Sequence, residues 1–167
     1  NAPKVSKEYI ASMKSSKLDA LSAQNESNGN PGAVYKDNNG AYAYGIYQFN
    51  SGKGSVDLFL QYEKVNNPSA YQTLMAAGGD TRAGQQTEAV QNAWKSVASS
   101  ESSFADDQQA FTKTTYYDVA AAKLKAAGVN VDGLSTGAKQ IIWSTAVQYG
   151  QYSNAMVDSL KNTDKSN

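Results

Sequence analysis

The chain of 167 residues contains no histidine and no cysteine. Without histidine there is no Ser-His-Asp or Cys-His nucleophilic site, and without either residue the usual zinc ligands are gone. No disulfide can brace the fold, so packing must hold it. Proline is scarce, at 3 residues, and neither a Pro/Ser-rich linker nor an internal repeat divides the chain. One domain over residues 1–167 is therefore expected. Apolar runs long enough to span a bilayer, about 18 residues, are missing, so membrane insertion is not expected. Net charge is also missing: 15 basic and 15 acidic side chains cancel, which leaves no basic footprint for a nucleic acid. The start, Asn1-Ala2-Pro3-Lys4-Val5, has neither an initiating Met nor a leader pattern, and we expect a domain of a larger protein.

What is present is mostly helical patterning with clear punctuation. Ser6 is placed to cap a first helix carrying Ile10 and Met13, and Ser16 to open a second that runs through Leu18 and Leu21 to Glu26. From Ser27 to about Ser51 the helical period vanishes, and Asn38-Asn39-Gly40 signals a turn, so a small β-hairpin or irregular insert is predicted around residues 33–50. Helices resume after Ser55, taken as a cap, and after Asn67-Pro68, with Pro at the favoured first position. Val90, Trp94 and Val97 share one face, a long helix with room for a kink is expected from about Ser102 to Ala127 with Gly128 as its stop, and Ser135 caps a helix whose buried stripe is read as Ile141, Ile142, Ala146 and Val147. A last helix would hold Met156, Val157 and Leu160. The fold class is mainly α, and function is expected in the insert.

With imidazole and thiol unavailable, proton transfer falls to carboxyl, Lys or Tyr groups. Glu26 stands at the end of a predicted amphipathic helix, immediately before irregular chain. A carboxyl sheltered there has its pKa raised by desolvation and by the negative helix end, the profile of a general acid. The same position also suits a solvated terminal Glu, so spacing alone leaves both open. Trp94 and Trp143 read as core anchors, and Asp106-Asp107 as solvated compensation of a helix dipole.

Glu26-Ser27 followed by Asn30-Pro31, and then Gly45-Ile46-Tyr47-Gln48, resembles the Glu-Ser-x-x-Asn-Pro … Gly-x-x-Gln signature of lytic transglycosylases in the lysozyme-like superfamily. The stretches Ala43 to Ser51 and Trp143 to Gly150 are similar to phage-tail lysozymes and to muramidase domains of type VI secretion effectors, including spike-protein extensions. Gly45 through Gly54 is also similar to chitosanases. Two departures stand out: Ser55 replaces the acidic residue that chitosanases carry after Ser-Gly-x-Gly, and Tyr149 replaces the His of the Val-Gln-His-Gly run in the phage and effector proteins.

The resemblance implies a lysozyme-like helical domain acting on bacterial peptidoglycan, with Glu26 as the acid and Gly45 and Gln48 lining the cleft. Hydrolysis by water calls for a second carboxylate, either a nucleophile about 5 Å away or a base about 6.5–9.5 Å away. Asp37 is the candidate, because related segments carry an Asp ahead of their Tyr-Gly-x-Tyr-Gln run. Its rival role is to start the Asn-Asn-Gly turn, and Asp57 is the alternative carboxylate. Tyr44, Tyr47, Gln48 and Ser51 supply the aromatic faces, amides and hydroxyls that hold sugars, with Tyr35, Tyr42 and Asn50 beside them, and Gln148 is placed in the cleft by the resemblance. The expected activity is muramidase cleavage of the β-1,4 bond between N-acetylmuramic acid and N-acetylglucosamine, with no cofactor and no metal. The alternatives are lytic transglycosylation or a catalytically idle wall-binding module. Delivery to a target cell's periplasm or wall, by an effector or a virion, follows from the same company. An effector would also imply an immunity protein as partner.

Overall fold

Each early boundary in the computed structural model, which describes residues 2–150, traces to a local cause. The first helix, α1 (Lys7–Ser16), starts where the Ser6 side chain accepts from Tyr9 N–H, and stops where Lys17 turns left-handed at φ 52°. Ser16 is thus the end of α1 and not a cap: its hydroxyl donates back to the Met13 carbonyl. The second helix, α2 (Ala20–Ser27), begins after Asp19, whose side chain makes no cap bond because it accepts from Tyr47 Oη at 2.5 Å. Asn28, at φ 54°, ends α2 just beyond Glu26 and Ser27.

The predicted insert is a three-stranded antiparallel sheet in the order β1 (Val34–Lys36), β2 (Tyr42–Tyr44), β3 (Phe49–Asn50). Val34 pairs with Tyr44, and Tyr44 with Phe49, which fixes the register of all three strands. The first turn closes through Asp37 N–H to the Ala41 carbonyl at 2.7 Å, with Gly40 supplying a φ of +87° that side-chain-bearing residues avoid. The second turn is Gly45-Ile46-Tyr47-Gln48.

The remainder is helical: α3 (Ser55–Asn66), α4 (Pro68–Ala76), α5 (Glu88–Ser100), α6 (Phe104–Thr112), α7 (Asp118–Ala126) and α8 (Thr136–Gly150). Pro68 opens α4 as expected. Ser55 is the first residue of α3, not its cap; that place belongs to Gly54, left-handed at φ 86°. A π-helical stretch, Lys113–Tyr117, joins α6 to α7 and interrupts the long helix expected here. Gly128, at φ +90°, follows its end. Ser135 caps α8 through Ala138 N–H. The stripe of α8 is shifted from the predicted one: Ile141 is 63% exposed, while Trp143, Ala146 and Val147 are buried. The predicted helix of Met156, Val157 and Leu160 lies outside the described residues.

The sheet is anchored by its own aromatic rings. Tyr44 packs on Trp94 of α5 at 5.0 Å between centroids, Phe49 on Phe59 of α3 at 5.0 Å and on Phe111 of α6 at 5.2 Å, and Tyr47 on Trp143 of α8 at 5.8 Å. Such pairs contribute about 0.5–1.5 kcal/mol each beyond the burial of their area. Both Trp94 and Trp143 are core anchors, at 1% and 0% exposure. This mainly helical architecture with a small sheet on one side is the lysozyme-like fold.

Candidate active site

Glu26, the sheet and the second turn meet in an open groove of about 400 Å³ lined by Glu26, Tyr35, Lys36, Asp37, Ala43, Gln48 and Asn50. The end of α2 supplies Glu26. Ser27, the next residue, is buried and donates to the Ile46 carbonyl at 2.9 Å, tying the acid-bearing helix end to the second turn. Glu26 faces the hairpin side, as expected, but stands exposed on the groove wall and not on a sheltered floor. Partial burial still pushes its carboxyl above the usual range.

Asp37 is displaced the other way. Its Oδ2 accepts from Asn50 Nδ2 at 2.8 Å, and its Oδ1 accepts from Asn39 N–H at 2.8 Å and Ala41 N–H at 2.9 Å. The Asn50 bond foremost, then the two backbone bonds and the Lys53 charge, outweigh its partial desolvation and hold the carboxyl below its ordinary value. Asp37 therefore does build the turn, its rival role, and also presents a carboxylate to the groove. Asp57 is elsewhere: it accepts from Gln85 Nε2 at 2.7 Å, pairs with Arg82 at 3.6 Å, and lines a separate cavity.

Of the residues expected to hold glycan, Gln48 lines the groove, half-buried, with its side-chain amide donating to the Gly45 carbonyl at 2.7 Å. Its backbone is left-handed at φ 55°, a strained state for a residue with a side chain, held by the turn around it. Tyr44 and Tyr47 do not face the groove. Both rings are fully buried, and their hydroxyls are spent on the Gln85 carbonyl and on Asp19. The alternation of the sheet and the tight turn send both rings inward, where they bury far more apolar area than a cleft would. Ser51 is likewise buried, donating to the Tyr42 carbonyl and accepting from Gln86 Nε2. Gln148 and Tyr149 are exposed on α8, and Gln148 is not among the residues lining the groove. Tyr35, 53% exposed on the groove edge, offers an aromatic face instead.

What sequence reasoning missed is one residue, Gln108, and the role of another, Asn50, which it had read only as a sugar-binding amide; both are placed by long-range contacts. Asn50 is buried and organises Asp37. Gln108 is fully buried on α6, with Ile46 and Pro31 as partners. The available signal was an amide at an apolar stripe position, between Phe104 and Phe111, which a stable core tolerates only if the amide finds partners.

This combination, a lysozyme-like fold with an acidic groove between a helix end and a small sheet, defines the structural class. Over residues 18–167 the sequence matches the family described as "Type VI secretion system spike protein VgrG3-like, C-terminal", and the chain belongs to that family. It is similar to the type VI secretion system spike protein VgrG3 of Vibrio cholerae serotype O1, at 29% identity over 147 residues, covering 86% of this chain and 13% of that protein. The chain thus spans a small part of that relative's length. A solved structure titled "Chitosanase complex structure" matches with a TM-score of 0.54 and 24% identity, over 84% of this chain and 61% of the other, a likeness of fold.

Proposed function

We propose that the chain is a peptidoglycan glycan-strand hydrolase, a muramidase, cleaving the β-1,4 bond between N-acetylmuramic acid and N-acetylglucosamine. One observation carries the reading: two carboxyls share a groove and are pushed in opposite directions, Glu26 up and Asp37 down. Environments that split two carboxyls in this way divide acid from base. Protonated Glu26 gives its proton to the glycosidic oxygen as the bond from that oxygen to the anomeric carbon breaks. Ionised Asp37 stabilises the oxocarbenium-like centre or orients the water that attacks it, and that water's remaining proton leaves to a carboxylate. Tyr35 offers a face to a sugar ring, Gln48 an amide to its substituents, and Lys36 a cation to the carboxylates that muramic acid and its peptides bear.

Lytic transglycosylation is the second reading, favoured by the three hydrogen bonds that occupy Asp37. In that reaction Glu26 alone serves as acid and then base, while the 6-hydroxyl of the muramic acid residue displaces the leaving group. Mass spectrometry of products from purified peptidoglycan separates the two: reducing muramic ends mark hydrolysis, anhydromuramic ends transglycosylation. Digestion at the parent rate by a folded Glu26→Gln variant would overturn both. Family membership supports delivery by a type VI secretion system into a target cell, where the wall is the substrate, and a producing cell would then need an immunity protein that covers the groove.

A further inference from the structure

Behind its surface the two walls of the groove are bridged by a buried amide, among other bonds. Gln108, in the middle of α6, exposes no surface. Its Oε1 accepts from Ile46 N–H at 2.8 Å, and its Nε2 donates to the Pro31 carbonyl at 3.0 Å. Pro31 lies in the segment that leaves Glu26, and Ile46 in the turn that ends at Gln48. The contact is close: Gly45 stands at φ +80°, and a Cβ there would collide with Gln108 Oε1. Other bonds make the arrangement a closed frame. Trp94 Nε1 donates to the same Pro31 carbonyl at 2.8 Å, Gly45 N–H donates to the Ala33 carbonyl at 2.7 Å, and Ser27 Oγ reaches the Ile46 carbonyl at 2.9 Å. Within that frame, among the described residues, Gln108 bonds the Pro31 segment and the 45–48 turn through one rigid, planar group. An apolar side chain would continue the stripe of Phe104 and Phe111 but would leave the buried Ile46 N–H without this acceptor, so the amide serves the fold as well as the groove, and stability and turnover must be read separately.

We propose that Gln108 is a positioning residue for catalysis, setting the separation between the wall that carries Glu26 and the wall that carries Gln48. The proposal rests on the reading of this groove as the catalytic one. Acid catalysis depends steeply on placement, and a displacement of about 1 Å can cost about 100-fold in rate. Gln108 touches no substrate, so its loss should act on turnover and leave binding nearly intact.

The test compares Gln108→Met, Gln108→Glu and Glu26→Gln with the parent chain on soluble glycan-strand fragments, with circular dichroism and melting curves alongside. Gln108→Met fills a similar volume but bonds neither partner; kcat should fall about 10- to 100-fold with KM changed less than about twofold. Gln108→Glu supplies a rescue that a purely structural role would not give. As a carboxylic acid it accepts from Ile46 N–H and donates to the Pro31 carbonyl, whereas the carboxylate has no hydrogen to donate. Its kcat relative to the parent should therefore rise about tenfold from alkaline to mildly acidic pH, where a buried acid is protonated. This profile also decides the matter if Gln108→Met fails to fold. The proposal is overturned by a lowered melting temperature with unchanged kcat, by a defect confined to KM, or by a Gln108→Glu ratio flat with pH. If Glu26→Gln is as active as the parent, the reading of the groove has failed and the proposal falls with it; if Glu26→Gln is inactive while Gln108→Met is fully active, the proposal alone has failed.

Discussion

Among the described residues, two regions raise a carboxyl above its ordinary pKa, and only one of them opens to a groove. In the groove, Glu26 is exposed and mildly desolvated, and its neighbour Asp37 is held ionised by Asn50 and two backbone amides. At the seam between α3 and α6, Glu63 is fully buried beside the carboxyl of Asp107. Burial first, and then the negative charge of Asp107, push it up to about 10. Asp107, 8% exposed, is raised as well, mainly by burial, although Asn67 Nδ2 donates to it at 2.9 Å and to Glu101 at 2.7 Å. Asp107 is thus part of a buried acidic seam and not the solvated dipole compensation expected from sequence. The larger displacement belongs to the region without access. A raised pKa marks burial; a site also needs an opening and a partner displaced the opposite way.

Breaking the comparison at its strongest point means removing the groove acid. Glu26→Gln should lower turnover by about 10²- to 10⁴-fold, while the melting temperature stays within the narrow range of surface substitutions; initial rates and calorimetry check both. Asp37→Asn should cost about 10-fold or more in kcat. It should also sharpen the assignment through pH: activity of the parent rises as Asp37 ionises and falls as Glu26 ionises, so the acidic limb lies below and the alkaline limb above ordinary carboxylate values. In the variant the acidic limb should disappear from the pH–rate profile.

The seam should answer in stability and not in rate. A folded pKa raised from 4.5 to about 10 means that Glu63 contributes stability fully present below 4.5, declining as pH climbs, and lost above about 10. Melting curves at increasing pH should show a slope of up to about 1.4 kcal/mol per unit in that window. Glu63→Gln should flatten this slope without altering kcat. The smallest effects separate the tyrosines. Tyr47→Phe removes the bond to Asp19 and should cost about 1–3 kcal/mol of stability with KM unchanged. Tyr35→Ala should raise KM a few-fold and leave stability alone, as expected for an exposed ring on the groove edge.

Legibility differed between the elements and the side chains they carry. Ser6, Pro68, Ser135 and Gly40 were readable because caps and turns are local events, decided within a few residues. Ser16 and Ser55 misled for a related reason: each has a hydroxyl at a plausible helix start, but Lys17 and Gly54 take the left-handed backbone that sets the boundary. Glu26, Asp37 and Gln48 were legible as neighbours of one groove from the motifs around them. The orientation of Tyr44, Tyr47 and Ser51 was not, since a half-polar ring suits a cleft and a core equally until the neighbouring helices are in place.

From sequence alone came the exclusion of imidazole and thiol chemistry, the helical class, the β insert and the acid that stands before it, because composition and period act over short stretches of chain. Tertiary structure decided which polar groups are spent inside and which remain for a ligand. Tyr47 meets Asp19, Asp37 meets Asn50, and Gln108 meets Pro31 and Ile46 only when distant segments pack, and burial then leaves each buried polar atom to find a partner or bear the cost of having none.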